Sequence, residues 1–279
     1  MVVWPAMAKP TFAKQVCVVT GGASGLGREL CVQLAAAGAT VILSDVDGVR
    51  ATAAATAMTG AVTVVPCDVT DAAAVQALID GVVADFGRID YLFNNAGVAV
   101  MGEIRDLSLA QWRRVIETNL FGVIHGVHHA YPHMIRQGHG HIVNIASGFG
   151  MAPGPLYTPY VASKFGVYGI SHALATEAEA FGVHVSLVCP GFIQTPLVAD
   201  AQPINADAKA VLAMIPVKII AVERAAQLTL AGVLRRRAII AFPRYVGILT
   251  ALHRRFPRLF NRIGRKQMAD FRRLRPTAP

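Results

Sequence analysis

Short apolar runs alternate with stretches of helical periodicity along most of the chain. "VCVVT" (16–20) is apolar and runs into glycines. "RELCVQLAAAG" (28–38) has helical content and a glycine stop, and "TVILSD" (40–45) is β-branched. "VTVVPCD" (62–68) reads as a further strand. It is followed by "TDAAAVQALIDGVVADFG" (70–87), which opens on the capping chemistry of Thr70 and Asp71 and stops at Gly87. "IDYLFNNAG" (89–97), "HIVNIAS" (141–147) and "VHVSLVCPG" (183–191) repeat the theme, and "AIIAF" (238–242) reads as a last strand closed by Pro243. Strands apolar on both faces, separated by helices of a dozen or more residues, belong to a parallel sheet covered on both sides. The pattern predicts a doubly wound, mostly parallel Rossmann-type α/β fold with its site at the carboxyl ends of the strands. It divides the chain into an N-terminal extension (1–13), a main α/β domain (14–243), in which the dinucleotide-binding and catalytic motifs below fall, and a C-terminal tail (244–279).

Composition narrows this picture. Hydrophobic residues make up 54% of the 279 positions and charged residues 15%, so a sizeable core is available and disorder is excluded for most of the chain. The longest uncharged runs, Gln137–Ser163 and Ala180–Ala199, are broken by proline, glycine and polar residues and do not read as membrane spans. The N-terminus lacks a cationic start followed by an apolar core, so no secretory signal is read. Cys17, Cys31, Cys67 and Cys189 lie singly in apolar runs, as reduced core thiols of a cytoplasmic protein do. The net charge of +9 is uneven. Residues 235–279 hold 13 Lys+Arg and one acid (13 − 1 = +12), whereas residues 1–234 hold 13 Lys+Arg and 16 acids (13 − 16 = −3). The basic pI describes a tail, which argues against nucleic acid as a partner of the main domain.

Candidate chemistry begins at "VVTGGASGLGREL". Gly21, Gly25 and Gly27 follow the first strand and open a helix, where small residues and unpaired N–H groups suit a pyrophosphate. Asp45 ends the second strand, eighteen residues beyond Gly27. A carboxylate there accepts from adenosine ribose hydroxyls and repels a 2′-phosphate, favouring NAD(H) over NADP(H). Asp45 or Asp47 could instead cap the next helix, and Arg28 and Arg50 are nearby cations able to take a phosphate. "GPLYTPYVASKFGVY" (154–168) places Tyr160 four residues before Lys164 and Tyr168 four after it. Pro159 suits a first helical turn and Thr158 its cap, so Tyr160 falls at the helix start. Tyr157 then precedes the cap as a pocket wall, and Tyr168 lies two turns away as packing.

"TGGASGLG" (20–27), "CDV" (67–69), "NNAG" (94–97), "TNLFG" (118–122), "NIASG" (144–148), "YVASK" (160–164) and "CPGFIQT" (189–195) together resemble the short-chain dehydrogenase/reductase family, in order and spacing, over roughly residues 14–243. The resemblance implies that Tyr160 is the acid/base and that Lys164 binds the nicotinamide ribose and lowers the tyrosine pKa. It implies that Ser147 hydrogen-bonds the substrate oxygen and that Asn119 supports a proton-relay water. Gly21, Ser24, Gly25, Leu26 and Gly27 fall at the pyrophosphate and Asp68 and Val69 at the adenine. Asn95, Ala96 and Gly97 line the cofactor, and Pro190, Gly191, Ile193 and Thr195 surround the carboxamide. The implied activity is hydride transfer between NAD(H) and an alcohol or ketone, in a homodimer or homotetramer. An NADP(H)-dependent carbonyl reductase, or a cofactor-responsive membrane- or partner-binding module with little turnover, are the other readings.

Apolar walls at "GFGMAPGPLY" (148–157), with Phe149 and Tyr157, and at "TPLVADAQPINADAKAVLAMIPVK" (195–218), with Leu197, Val198, Val211, Leu212, Met214 and Ile215, favour a lipophilic substrate. His125, His128, His129, His133, His139 and His141 crowd one stretch, with two pairs at i, i+4. No Cys, Asp or Glu joins them there, so no metal is expected. In the tail, on a wheel of about 100° per residue, Leu249, Leu252, Phe256, Leu259, Phe260 and Ile263 gather on one face and six Arg/Lys on the other. Such a face suits an anionic membrane surface or the protein's own body, and Pro257 either interrupts the helix or starts a second one.

Overall fold

Seven strands lie side by side in the order β3-β2-β1-β4-β5-β6-β7, every neighbouring pair parallel. The computed structural model describes residues 11–197, 203–206 and 219–274. The strands are β1 (Val16–Thr20), β2 (Thr40–Asp45), β3 (Ala61–Pro66), β4 (Tyr91–Asn94), β5 (Gly140–Ile145), β6 (Val183–Pro190) and β7 (Ile239–Phe242). The helices between them are α1 (Gly25–Ala36), α2 (Gly48–Thr56), α3 (Ala72–Phe86), α4 (Leu109–Ile116), α5 (Gly122–Gln137), α6 (Thr158–Ala178) and α7 (Val222–Leu234). Two more, α8 (Arg244–Arg255) and α9 (Pro257–Arg273), follow β7.

The apolar character of both strand faces has a direct cause. Cys17 and Val19 of β1 point into a core with α1 and α7, while Val16 and Val18 point into another with α3, α5 and α6. Val41 and Leu43 part from Ile42 in the same way on β2. Each fully buried Leu or Ile contributes about 1.5–3 kcal/mol, so a strand polar on either face could not sit here. Strand β3 is one of the two edge strands, alternately exposed, and it ends on Pro66, which has no N–H to donate.

Local signals end the elements where the sequence predicts. Asp71 caps α3 by accepting from Ala73 N and Ala74 N, and Gly87 ends it in the left-handed region at φ 71°. Asp47, not Asp45, caps α2, accepting from Arg50 N. Pro257 starts a second helix. Thr158 is already helical, so the residue at the cap of α6 is Tyr157, which makes no capping bond.

The chain leaves β3 at one edge and returns beside β1 as β4, so the strand order reverses between β1 and β4. Their carboxyl ends flank the crevice in which such sheets bind ligands. Behind it runs a buried polar chain. Asn94 Nδ2 donates to Asn144 Oδ1 (2.8 Å), and Asn144 Nδ2 donates to Ser171 Oγ (2.9 Å), tying β4, β5 and α6 together. Gly126 of α5 presses on it, for a Cβ there would stand 2.1 Å from Asn94 Oδ1. Gly126→Ala gains about 1 kcal/mol of helix propensity but forces overlap on a side chain held by hydrogen bonding, which typically costs about 1–3 kcal/mol. The variant is expected to melt several degrees below wild type; an unchanged or raised midpoint contradicts this packing.

Candidate active site

The glycine loop is drawn tight against the end of β4. Gly21 and Gly25 adopt φ 65° and 52°. A Cβ on Gly27 would fall 2.1 Å from Gly21 O, and one on Gly21 would fall 2.8 Å from Ala96 Cα. Asn95 bolts the loop down, its Nδ2 donating to Thr20 O (2.9 Å) and Gly21 O (3.1 Å). Ser24 caps α1 without a side-chain bond, and its first turn carries no acid, so the first N–H groups face outward under a favourable helix dipole. Asp45 accepts from Ala23 N (3.0 Å) and Asp47 N (3.1 Å), which fixes the carboxylate at the rim of the same crevice. Asp68 is fixed likewise, accepting from Thr70 N (2.9 Å) and Thr70 Oγ1 (2.8 Å).

A cavity of about 1140 Å³ runs along these strand ends. Its walls include Gly21, Ser24, Gly25, Leu26, Asp45, Asp68, Val69, Asn95, Ala96 and Gly97 on one side. Pro190, Gly191, Ile193, Thr195, Leu197, Phe149 and Tyr157 line the other, and Ser147, Tyr160 and Lys164 lie between them. Two expected residues do not line it. Gly27 sits beneath the loop, where its missing Cβ lets the loop close, and Asn119 lies fully buried behind Gly97. The residues fit a nicotinamide dinucleotide: an open helix N-terminus, backbone free of Cβ atoms, and fixed carboxylates at the ends of β2 and β3.

The central cluster takes its geometry from β5 and α6. Ser147 lies just past β5, its Oγ accepting from Phe149 N (3.1 Å), and its hydroxyl lowers the pKa of the Tyr160 phenol. Tyr160 stands in the first turn of α6 and Lys164 one turn deeper, Nζ 5.6 Å from the ring centroid. Lys164 Nζ donates to Ile145 O at 2.7 Å. Asn119 sits in a single π-helical turn, Glu117–Phe121, between α4 and α5. Such widened turns re-aim a side chain. Here Asn119 Nδ2 donates to Val98 O (2.9 Å) and Oδ1 accepts from Val98 N (2.8 Å), clamping the segment after Gly97. Tyr168 does not line the cavity and packs on the cluster of Val123, Ala146, Val167, Leu187 and Cys189.

Electrostatics here differ from the expectation that the lysine holds the phenol down. Burial dominates, pushing Tyr160 up to about 12, and the opposing influence is the Ser147 hydrogen bond. Burial also draws Lys164 down to about 8. Its Nζ bonds Ile145 O and stands 5.6 Å from the centre of the phenol ring.

Several walls escaped the sequence reading. Tyr245 Oη accepts from Phe192 N (3.2 Å), and its ring occupies the space that a Cβ on Gly191 would need. Leu249 of α8 and Phe260 and Ile263 of α9 line the same cavity, as do Arg113 and Arg114 of α4. Phe271 is fully buried against Met101 and Leu156, and Arg272 pairs with Glu103 through both carboxylate oxygens. The inward part of the tail therefore packs on the protein body. Val198, Val211, Leu212, Met214 and Ile215 of the expected lid lie outside the described residues.

The histidines separate among different partners. His125 bonds Val69 O, His133 meets Asp80 and Arg136, His139 meets Asp90, and His141 meets Ser186. Among the described residues no three His, Cys, Asp or Glu are placed to hold a metal ion.

The profile of the short chain dehydrogenases matches residues 15–205. The chain belongs to that family. The chain is 36% identical to the D-beta-hydroxybutyrate dehydrogenase of Rhizobium meliloti over 194 residues, which is 68% of this chain and 75% of that protein. It is 40% identical to the cis-4-hydroxycyclohexanecarboxylate dehydrogenase of Sinomonas cyclohexanicum over 205 residues, covering 72% and 81% of the two chains. Among solved structures, a short chain dehydrogenase/reductase from Burkholderia phymatum in complex with NAD superposes with a TM-score of 0.81 at 29% identity, covering 98% of this chain and 99% of the other. The family's members are oxidoreductases that use nicotinamide cofactors, and the all-parallel sheet with its glycine loop is their architecture.

The placement of Lys164 carries a stability signature. Folding lowers its pKa from 10.5 to about 8, so between those values the unfolded chain holds one more proton than the folded one. This group therefore makes stability rise with pH across that window, and below it the buried cation only costs. Urea denaturation of Lys164→Met and wild type should show their stability difference moving in favour of wild type from about pH 8 to about pH 10. A difference constant over that range contradicts the burial described.

Proposed function

We propose that the protein is an NAD(H)-dependent alcohol dehydrogenase or ketone reductase acting on a lipophilic secondary alcohol or its ketone, with Tyr160 as acid/base. The observation that carries this reading is the convergence of Ser147, Tyr160 and Lys164 in a cavity whose other end is the glycine loop. A bound nicotinamide supplies the hydride acceptor or donor and, when oxidised, a positive charge. In oxidation Tyr160 takes the alcohol proton; in reduction it returns one to the developing alkoxide. Ser147, beside it in the same cavity, gives that oxygen a second hydrogen bond. Because burial keeps Tyr160 protonated to about 12, the resting protein is poised as a proton donor, and removing a proton requires a cation beside the ring. Lys164 is the chain's own contribution to that charge and, in this reading, also holds the nicotinamide ribose.

The cofactor preference rests on Asp45. Its carboxylate lines the cavity, while neither Arg28 nor Arg50 does. The substrate class rests on the aromatic wall, where Phe149 stacks on Tyr157 (5.2 Å) and meets Tyr160 and Phe192 edge-on (6.4 and 5.9 Å). Exposed Leu109, Phe121 and Phe165 on the adjoining α4, π-turn and α6 support self-association as a homodimer or homotetramer. No described helix is long and apolar enough to cross a membrane, and four buried free cysteines support a reducing, cytoplasmic setting. We also read 14–243 as the catalytic domain, with 244–279 as an added basic segment.

Tyr160→Phe is expected to lose turnover by about 10²-fold or more on a panel of hydroxysteroids, retinol, aryl carbinols and medium-chain alcohols while keeping NADH binding, followed by absorbance and fluorescence. Unchanged turnover overturns the mechanism. Asp45→Ala should weaken NAD(H) binding and narrow its advantage over NADP(H); a variant that discriminates as wild type does removes Asp45 from the adenosine site.

A further inference from the structure

The α8–α9 hairpin has two unlike faces. Inward, Val246 and Phe271 are buried, and Leu249, Phe260 and Ile263 line the open cavity, where Leu249 and Ile263 are still 37% and 46% exposed. Outward, Leu252, Phe256 and Leu259 remain 38%, 48% and 49% exposed. On α9, Arg262 and Lys266 fall within about 60° of Leu259 around the helix axis, and with Arg258 they are exposed. Residues 244–274 carry nine Lys/Arg and one acid, and of the nine, Arg272 and Arg273 pair with Glu103 and Asp270.

The mixture of exposed apolar and cationic groups selects the occupant. A second copy seated through this ridge would set like charges face to face. A nucleic acid would take the cations and leave Leu252, Phe256 and Leu259 in water. An anionic bilayer takes both, apolar side chains into the acyl boundary and cations on the headgroups. We propose that the outer face of the α8–α9 hairpin docks the protein on an anionic lipid surface. Leu252, Phe256 and Leu259 insert, and Arg258, Arg262 and Lys266 meet the phosphates. Leu252 follows Leu249 by three residues and Leu259 precedes Ile263 by four, so each inserted leucine is about one turn from a residue of the cavity wall. The docked face thereby borders the cleft, and a lipophilic molecule could pass between bilayer and cavity with little exposure to water. The docking is read by binding alone and stands apart from the identity of the substrate.

Removing the tail would be a poor test, because Phe271 covers Met101 and Leu156 and Tyr245 holds the Gly191–Phe192 segment. Point variants of the full chain avoid this. Wild type is expected to co-sediment with vesicles of phosphatidylcholine plus phosphatidylglycerol, weakly with phosphatidylcholine alone, and less as salt rises. The pair Leu252→Asp and Leu259→Asp, and separately the trio Arg258→Gln, Arg262→Gln and Lys266→Gln, should each weaken binding about tenfold or more. Both should keep the wild-type melting midpoint and, where a soluble alcohol is turned over, its rate. Wild type that ignores anionic vesicles, or variants that bind as wild type does, overturn the proposal. So does a loss of oligomer mass in sedimentation velocity on replacing the leucines, or binding to duplex DNA that exceeds vesicle binding and ignores the leucine pair.

Discussion

An ammonium group taken out of water governs the centre of this molecule. Lys164 is 3% exposed and its Nζ bonds the carbonyl of Ile145, at the end of β5. A buried cation is tolerated only where hydrogen bonds and geometry offset the loss of hydration. That requirement fixes α6 against β5, and with α6 it fixes Tyr160 above and Ser147 beside it. Gly150 shows how closely the two are matched, since a Cβ there would meet Lys164 O at 2.7 Å. The burial that strains the lysine also raises the tyrosine, so both groups are held in the protonation state that is harder to change for the phenol and easier to change for the ammonium.

Around that pair the parallel sheet does the positioning. Because all strands run the same way, the glycine loop, Asp45, Asp68, the Asn95–Gly97 segment, Ser147 and Pro190 emerge on one edge. Several of these are pinned by specific contacts: Asn95 on the loop backbone, Ala23 N on Asp45, Thr70 on Asp68, and Asn119 on Val98, the residue after Gly97. The open side of the cleft is closed by elements later in the chain. Tyr245 and Phe260 come from helices beyond β7 and line the cavity with Leu249 and Ile263.

What could be read from the sequence divides along the range of the interactions. Strands such as "VCVVT" and "TVILSD" were legible because both faces are buried, and Asp71 and Gly87 because caps act within a few residues. The central cluster was legible as spacing: Tyr160 and Lys164 share a helix, and Ser147 precedes them at a strand end. Contacts between distant segments were not. Nothing local to Asn119 signals the π-turn or its clamp on Val98, twenty-one residues away. Tyr245 reads as one more aromatic until β7 delivers it beside Gly191. The tail showed its amphipathic pattern and, in Pro257, the place where a second helix could start, but not that the two helices turn different residues inward. A fall of the tyrosine pKa was likewise expected from the nearness of Lys164, whereas burial of the phenol, which no local pattern shows, pushes it up.

The central claim is that Tyr160 is a buried phenol whose proton is released by positive charge brought to its ring. An ultraviolet difference titration of tyrosine ionisation, with and without saturating NAD+, tests it most directly when Tyr160→Phe is titrated alongside. The account predicts that NAD+ moves one tyrosine from about 12 down toward neutral pH, and that this transition is missing in Tyr160→Phe. A titration that NAD+ leaves unchanged, or a shifted transition that persists in Tyr160→Phe, would contradict it.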